Sequence, residues 1–292
     1  MAEPLKILVM GSNGRLGKAL LRRYAAAGLE VKGVGRAELD LERPELINET
    51  LAQHDFNVLI NAAGNTNVDD CERHPEQAHL VNAISPTIAA SHCVQRGARF
   101  VQVSTDYVFA GDEPTLRKEN DPAHPISHYG RSKLAGEEAV AAVLPEALVT
   151  RVSWVFGIEK PSFPDWIISQ AKTKPEVAAV NDKWACPAFA DDITEWILAL
   201  LQCNAEGVFH LCNQGSCTWQ EYAQAALDIA ASLGIPLQTH SVQGHSMQGF
   251  APFIAARPPF TSMDTGRFTQ ITGVTPRPWQ AALEEYLGKV CS

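Results

Sequence analysis

Residues 5–17 read Leu5-Lys6-Ile7-Leu8-Val9-Met10-Gly11-Ser12-Asn13-Gly14-Arg15-Leu16-Gly17. A short apolar run ends in a GxxGxxG turn, and the turn opens a helical pattern. Glycines there allow a tight turn and close backbone approach, so the N–H groups of the helix start can face a pyrophosphate. A glycine-rich turn can also serve packing alone; its place at the first βα junction decides for dinucleotide binding. Gly11, Asn13, Gly14, Arg15, Leu16 and Gly17 are therefore candidate cofactor-binding residues.

Outward from this turn the pattern repeats. Strands are expected at 5–10, 30–35, 57–61 and 99–104, separated by helices at 15–27, 44–54 and 75–96. A further helix over 129–144 leads to a strand at 147–152. Runs such as Asn57-Val58-Leu59-Ile60-Asn61 suit strands buried on both faces, as a parallel sheet covered by crossover helices requires. The expected fold is α/β, a Rossmann-type doubly wound parallel sheet with a smaller, discontinuous C-terminal substrate domain. Residues 1–157 would form the dinucleotide-binding domain and 158–188 the first part of the substrate domain. Residues 189–212, with a helix at 191–202 and a strand at 208–211, would return to the sheet. Residues 213–292 would complete the substrate domain, with a helix at 218–233, a long Gly/Pro-punctuated loop at 244–259 and helical pieces at 265–287.

The second strand ends at Gly33-Val34-Gly35-Arg36. Where an acid would read a ribose 2′-hydroxyl the chain offers Arg36, which favours NADP over NAD unless the guanidinium is only a solvated surface group. Asp40 and Leu41 in the next turn could touch the adenine or only shape that turn. Ala62, Ala63 and Gly64 close the third strand with small residues that let a cofactor lie across the strand ends.

The fourth strand ends in Ser104-Thr105-Asp106-Tyr107-Val108-Phe109, and 24 residues after Thr105 comes Tyr129-Gly130-Arg131-Ser132-Lys133. Tyr129 and Lys133 stand at i and i+4, one helical turn apart on one face. A free phenol has a pKa of ~10, and moving it about three units toward neutrality takes about 4 kcal/mol of preferential phenolate stabilisation. A fixed ammonium nearby can supply much of that, while Thr105 would hydrogen-bond the substrate oxygen. YxxxK alone is common on helix surfaces; with the glycine turn and a strand-end Thr it reads as catalytic. His128, next to the phenol, could tune it or merely cover it.

Composition bounds the rest. With 292 residues, 46% hydrophobic and 20% charged, the chain has material for a sizeable core. Its net charge of −9 disfavours a general nucleic-acid binder. No apolar run approaches the ~18 residues that span a bilayer, and the four apolar residues before Gly11 are too few for a signal peptide. Seven cysteines without CxxC or metal spacing read as reduced thiols. A cytoplasmic protein without a metal site, membrane or nucleic-acid partner is expected; a homodimer stays open.

These residues resemble the extended short-chain dehydrogenase/reductase superfamily, and within it the dTDP-4-dehydrorhamnose reductase family. The likeness runs through Gly11–Gly17, Asn61–Gly64, Thr66, Val68-Asp69, STDYVF at 104–109, YGRSKLAGE at 129–137, RVSWVFG at 151–157 and PAFADDI at 187–193. It continues in Arg257-Pro258 and the tail around Leu283. It implies NADPH, or alternatively NADH, as cofactor and a nucleotide-linked deoxysugar as substrate. Thr105, Tyr129 and Lys133 would be catalytic, Lys133 also holding the nicotinamide ribose. Thr66, Val68, Thr105, Asp106, Tyr107, Trp154 and Arg257 would contact the sugar nucleotide.

The resemblance is imperfect. The family's NAA-aromatic-Thr is Asn61-Ala62-Ala63-Gly64-Asn65-Thr66 here, its Asn-Val before the catalytic Tyr is Ser127-His128, and its RPxxS is one residue out of step in Arg257–Ser262. Related dehydratases place an Asp-Glu pair after the threonine; here Asp106 is followed by Tyr107, which leaves reduction or epimerisation. Three readings follow: reduction of the sugar C4 ketone, a regulatory binding subunit similar to the methionine adenosyltransferase β-subunit, and an NAD-retaining epimerase.

Overall fold

Along β1 (Lys6–Met10) the side chains alternate between two cores: Ile7 and Val9 enter one, Leu8 and Met10 the other. This period of two, buried on both sides, is what an apolar run between helical layers requires. The structure, a computed structural model, describes residues 4–249 and 253–291. The first sheet strands to follow β1 are β2 (Glu30–Val34), β3 (Val58–Asn61), β4 (Arg99–Thr105) and β5 (Leu148–Val152). Then come β6 (Val155–Phe156), β7 (Val177–Val180), β8 (Trp184–Ala185), β9 (Ala188–Phe189), β10 (Gly207–Leu211), β11 (Cys217–Thr218) and β12 (Val242–His245).

The main sheet has the order β2-β1-β3-β4-β5-β10, every neighbour parallel. The order reverses at β1, so a crevice opens between the carboxyl ends of β1 and β3, where open α/β sheets take their ligands. The helices are α1 (Arg15–Ala26), α2 (Ile47–Ala52), α3 (Val68–Arg73), α4 (Pro75–His79), α5 (Ser85–Arg96), α6 (His128–Val143), α7 (Phe163–Ala171), α8 (Ala190–Gln202), α9 (Trp219–Ser232), α10 (Gly266–Thr272) and α11 (Trp279–Val290). Leu16, Leu20 and Tyr24 of α1 share a core with Ile193, Trp196, Ile197 and Leu200 of α8 on one face of the sheet. Helices α2, α5 and α6 cover the other face through Ile47, Leu51, Ala89, Cys93 and Val140.

The helix expected over 75–96 is interrupted. Residues Leu80–Ile84 form a π turn between α4 and α5. Pro86 has no N–H to offer the carbonyl of Asn82 four residues earlier, and the widened turn accommodates that lost bond. The helix expected over 44–54 likewise begins as a 3₁₀ turn at Pro44–Leu46.

A separate core gathers α7, α9 and α11 through Ile167, Ile168, Tyr222, Ala226, Trp279, Leu283 and Tyr286. Three two-stranded ladders belong to this half: β7 with β12 and β6 with β9, both parallel, and β8 with β11, antiparallel. Helix α9 starts on a capping box in which Thr218 and Glu221 satisfy each other's backbone N–H groups. The loop expected over 244–259 holds the end of β12 and a 3₁₀ turn at Met247–Gly249; its residues 250–252 lie outside the described residues, as do 1–3 and 292 at the chain ends. Among the described residues no helix is long and apolar enough to cross a membrane.

Candidate active site

Gly11 has φ +78°, and a Cβ on it would lie 2.7 Å from the backbone of Ala63, so the first turn and the β3 exit touch only because position 11 has no side chain. Gly14 is the N-cap of α1 and makes no side-chain cap, leaving the first amides of a twelve-residue helix facing the crevice. A cleft of about 740 Å³ lies there, lined by Gly11, Asn13, Gly14, Ala62, Ala63 and Gly64 on one side and by Arg36, Asp40, Leu41 and Glu42 at its far end.

Three residues of the turn face elsewhere. The Arg15 guanidinium donates to the carbonyls of Val155 (3.0 Å), Pro161 (2.7 Å) and Lys160 (3.4 Å), on the segment leading out of the main sheet. Leu16 is packed in the α1–α8 core, and Gly17 is buried, its α-carbon pressed toward the Gly11 carbonyl. Arg36 is exposed and bound by the carboxylates of Glu42 and, at 3.5 Å, Asp40.

Thr105 ends β4 and Tyr129 lies in the first turn of α6, whose N-cap Ser127 accepts from the Gly130 amide. Both side chains are nearly buried, and the Thr105 hydroxyl donates to Asp106 at 3.1 Å and accepts the Tyr107 amide at 3.2 Å. Burial pushes the Tyr129 phenol above its usual value, with the Thr105 hydroxyl pulling the other way. Lys133 is buried below it. Its ammonium donates to the Val103 carbonyl at 2.7 Å and lies 3.9 Å from where a Cβ on Gly64 would stand, at the edge of the cleft. Desolvation brings Lys133 down to about 8. The depression of the phenol expected from Lys133 is therefore not seen here, because the ammonium is spent on the strand carbonyl and burial dominates.

On the sugar side the structure brings Val68, Cys71, Tyr107 and Tyr129 into one small cluster, with the two tyrosine rings edge to face at 5.5 Å. Thr66 is exposed on the rim of the cleft. Asp106 is buried behind Thr105, accepting from the hydroxyls of Thr105 (3.1 Å), Ser153 (2.9 Å) and Thr261 (2.5 Å). Trp154 has φ +39°, a strained value for a bulky residue, and rests on Trp219 and Tyr222; its indole N–H is buried without a partner. Arg257 is bound to Asp69 at 2.9 Å, and Asp69 also accepts the amides of Ile254 and Ala255, which fastens the 254–257 segment over the start of α3.

A family model described as RmlD substrate binding domain matches residues 5–291. The chain belongs to this family. It is 31% identical over 282 residues to the spore coat polysaccharide biosynthesis protein SpsK of Bacillus subtilis, covering 97% of this chain and 96% of that one. It is 31% identical over 294 residues to the dTDP-4-dehydrorhamnose reductase of Escherichia coli, with 98% of each chain covered. A solved dTDP-4-dehydrorhamnose reductase from Bacillus anthracis in complex with NADP matches with a TM-score of 0.90 and 27% identity, covering 99% of this chain and all of that one.

Within this family member, sequence reasoning overlooked two groups at the site. Asn82, in the π turn, accepts from the Asn65 amide and donates to the Asn65 carbonyl and to Ser132, between Tyr129 and Lys133 on α6. Pro86 was the signal, since a proline about three turns into a long helical pattern marks a local widening. Lys183 is fully buried near Asp106, and no motif announces it.

Proposed function

We propose that the protein reduces the C4 ketone of a nucleotide-linked deoxysugar, dTDP-4-dehydrorhamnose or a near relative, in the cytoplasm with NADPH as reductant. What supports this is Tyr129 and Lys133 one turn apart on α6, with the Lys133 ammonium at the edge of the glycine-lined cleft and Thr105 at the end of β4, in a chain of this family. The residues present fit a dinucleotide: uncapped amides at the start of α1, a backbone approach that a Cβ at Gly11 would fill, and small residues at 62–64. Gly11, Asn13, Gly14 and Ala62–Gly64 would hold it, with Asp40 and Leu41 at the adenine and Arg36 at the ribose.

When bound, the reduced nicotinamide supplies a hydride to the sugar C4. Tyr129 gives its phenolic proton to the C4 oxygen as negative charge develops there, so ketone, hydride and proton balance to the secondary alcohol. Thr105 sets the direction of the Tyr129 hydroxyl, and Lys133 places positive charge beneath the phenolate left behind. The smaller unit, 158–188 with 213–292, would hold the sugar nucleotide against this site, with Val68, Tyr107, Trp154 and Arg257 at its edge.

The test is oxidation of NADPH by purified protein on addition of a dTDP-4-keto-6-deoxysugar, with Tyr129→Phe lowering kcat by about 10²–10⁴-fold, the usual worth of a general acid. Absence of turnover with every such sugar, or epimerisation without net cofactor oxidation, overturns the reading.

A further inference from the structure

Among the described residues, the glycine-lined cleft has Arg36, His74 and Lys160 as the basic members of its lining, with Lys133 at its edge. All but one are already engaged. Arg36 is bound by Glu42 and, at 3.5 Å, by Asp40; His74 Nδ1 lies 3.1 Å from Asp70; and the Lys133 ammonium donates to the Val103 carbonyl. These contacts take up every carboxylate of the lining, Asp40, Glu42 and Asp70. Lys160 is exposed, and among the described residues its ammonium is in no ion pair or hydrogen bond.

The backbone that carries Lys160 is fastened along α1. Arg15 donates to the carbonyls of Val155, Lys160 and Pro161 at 3.0, 3.4 and 2.7 Å, and Arg22, two turns further along the helix, donates to the Glu159 carboxylate at 2.9 Å. Gly157 passes so close that a Cβ on it would lie 2.8 Å from the Ala190 side chain and 3.6 Å from Arg15 Cγ. Arg15 directly follows Gly14, the N-cap of α1. Its grip on the Lys160 carbonyl therefore ties that residue to the Gly11–Gly14 end of the cleft, while Arg36 and its two carboxylates mark the far end.

A pyrophosphate is doubly anionic, and a chain with a net charge of −9 offers it no general attraction. The amides that open α1 supply hydrogen bonds but only partial charge. Arg15, the basic residue next to the turn in sequence, is directed to the 155–161 carbonyls instead. We propose that Lys160 is a cofactor-binding residue: its ammonium meets the pyrophosphate of the dinucleotide, and Arg15 holds it in place to do so. The proposal deepens the function proposed above and rests on its dinucleotide reading. Lysine suits the position, being a compact charge on a flexible stem that binds phosphate without a fixed geometry and can swing aside as the nucleotide enters.

The experiment is calorimetric titration of full-length protein with NADPH and with NADH, in the absence of sugar. Lys160→Gln should raise Kd for both nucleotides alike by about fivefold or more, the lower end of what a hydrogen bond between charged groups contributes, because the site is open to solvent. The gap should narrow in high salt. Lys160→Arg should restore binding, and Lys174→Gln, an exposed charge removed just after α7 and outside the cleft lining, should leave Kd within about twofold. The melting temperature of nucleotide-free Lys160→Gln should match the wild type within about 2 °C, as for other exposed positions. Equal affinities of wild type and Lys160→Gln overturn the proposal. So does a loss confined to NADPH, which would put the ammonium at the ribose phosphate, and so does an equal loss in Lys174→Gln, which would be an effect of net charge alone. No sugar is turned over, so a protein that binds nucleotide yet reduces no keto sugar would refute the reductase reading and leave this assignment standing.

Discussion

Lys133 is charged in the unfolded chain up to its ordinary value of 10.5, but desolvation in the fold lowers it to about 8. Below pH 8 both states carry the proton and the full cost of burying the cation is present. Between 8 and 10.5 the unfolded state binds more protons than the folded one, so this group makes stability rise with pH. Buried thiols act oppositely: Cys71, pushed up to about 11, and Cys93, to about 12, keep protons that the unfolded chain loses from about pH 9. A comparison with Lys133→Met isolates the lysine. The wild type should gain melting temperature on the variant as pH goes from below 8 to near 10, and a pH-independent gap between them would show the ammonium is not desolvated. At this scale the sequence was legible where spacing alone sets proximity, as in Tyr129 and Lys133. It was silent on what each polar atom would bind: Arg15 turns to the 155–161 carbonyls and Lys133 to Val103.

Among the elements, α6 is held by contacts that tolerate no extra atom. A Cβ on Gly130 would lie 2.2 Å from the Tyr107 carbonyl oxygen, a backbone atom that cannot rotate aside. Helix propensity favours alanine over glycine by about 1 kcal/mol, and the overlap should overwhelm that gain. Gly130→Ala is expected to lower both the melting temperature and kcat, the latter by about tenfold or more as Tyr129 is displaced from Thr105; an alanine variant with full activity and higher stability would refute the contact. The helix rests on β4 and β5 through Glu137, which accepts from Ser104 and from Arg151 at 2.7 Å in a buried pair. Long periodic elements such as α1, α6 and α8 could be read from the chain within a residue or two. The π turn at 80–84 could not, because its cause is one missing amide within an otherwise uniform pattern.

For the molecule as a whole, the cofactor should couple to stability. A ligand at about 100 times its Kd stabilises the native state by about 2.7 kcal/mol, or roughly 5–10 °C of melting temperature in a chain of this size. NADPH should produce that shift, and Gly11→Val should abolish it by pushing a side chain into Ala63. A larger shift with NADH than with NADPH would show that Asp40 and Glu42 keep Arg36 from a ribose phosphate. The main sheet was readable because β1 and β3 are continuous apolar runs and its strands recur between helical patterns at regular intervals. The second half was less so: its ladders β6–β9 and β8–β11 are two residues long, set by tertiary contacts and not by local pattern.

Arg15 stands on the first turn of α1 yet grips the carbonyls of Val155, Lys160 and Pro161. A push on that turn is thus handed directly to the peptide leading toward Phe163 and the aromatic wall around Trp154. The first turn of α1 and that peptide share a tie rod, and loosening either end loosens the other.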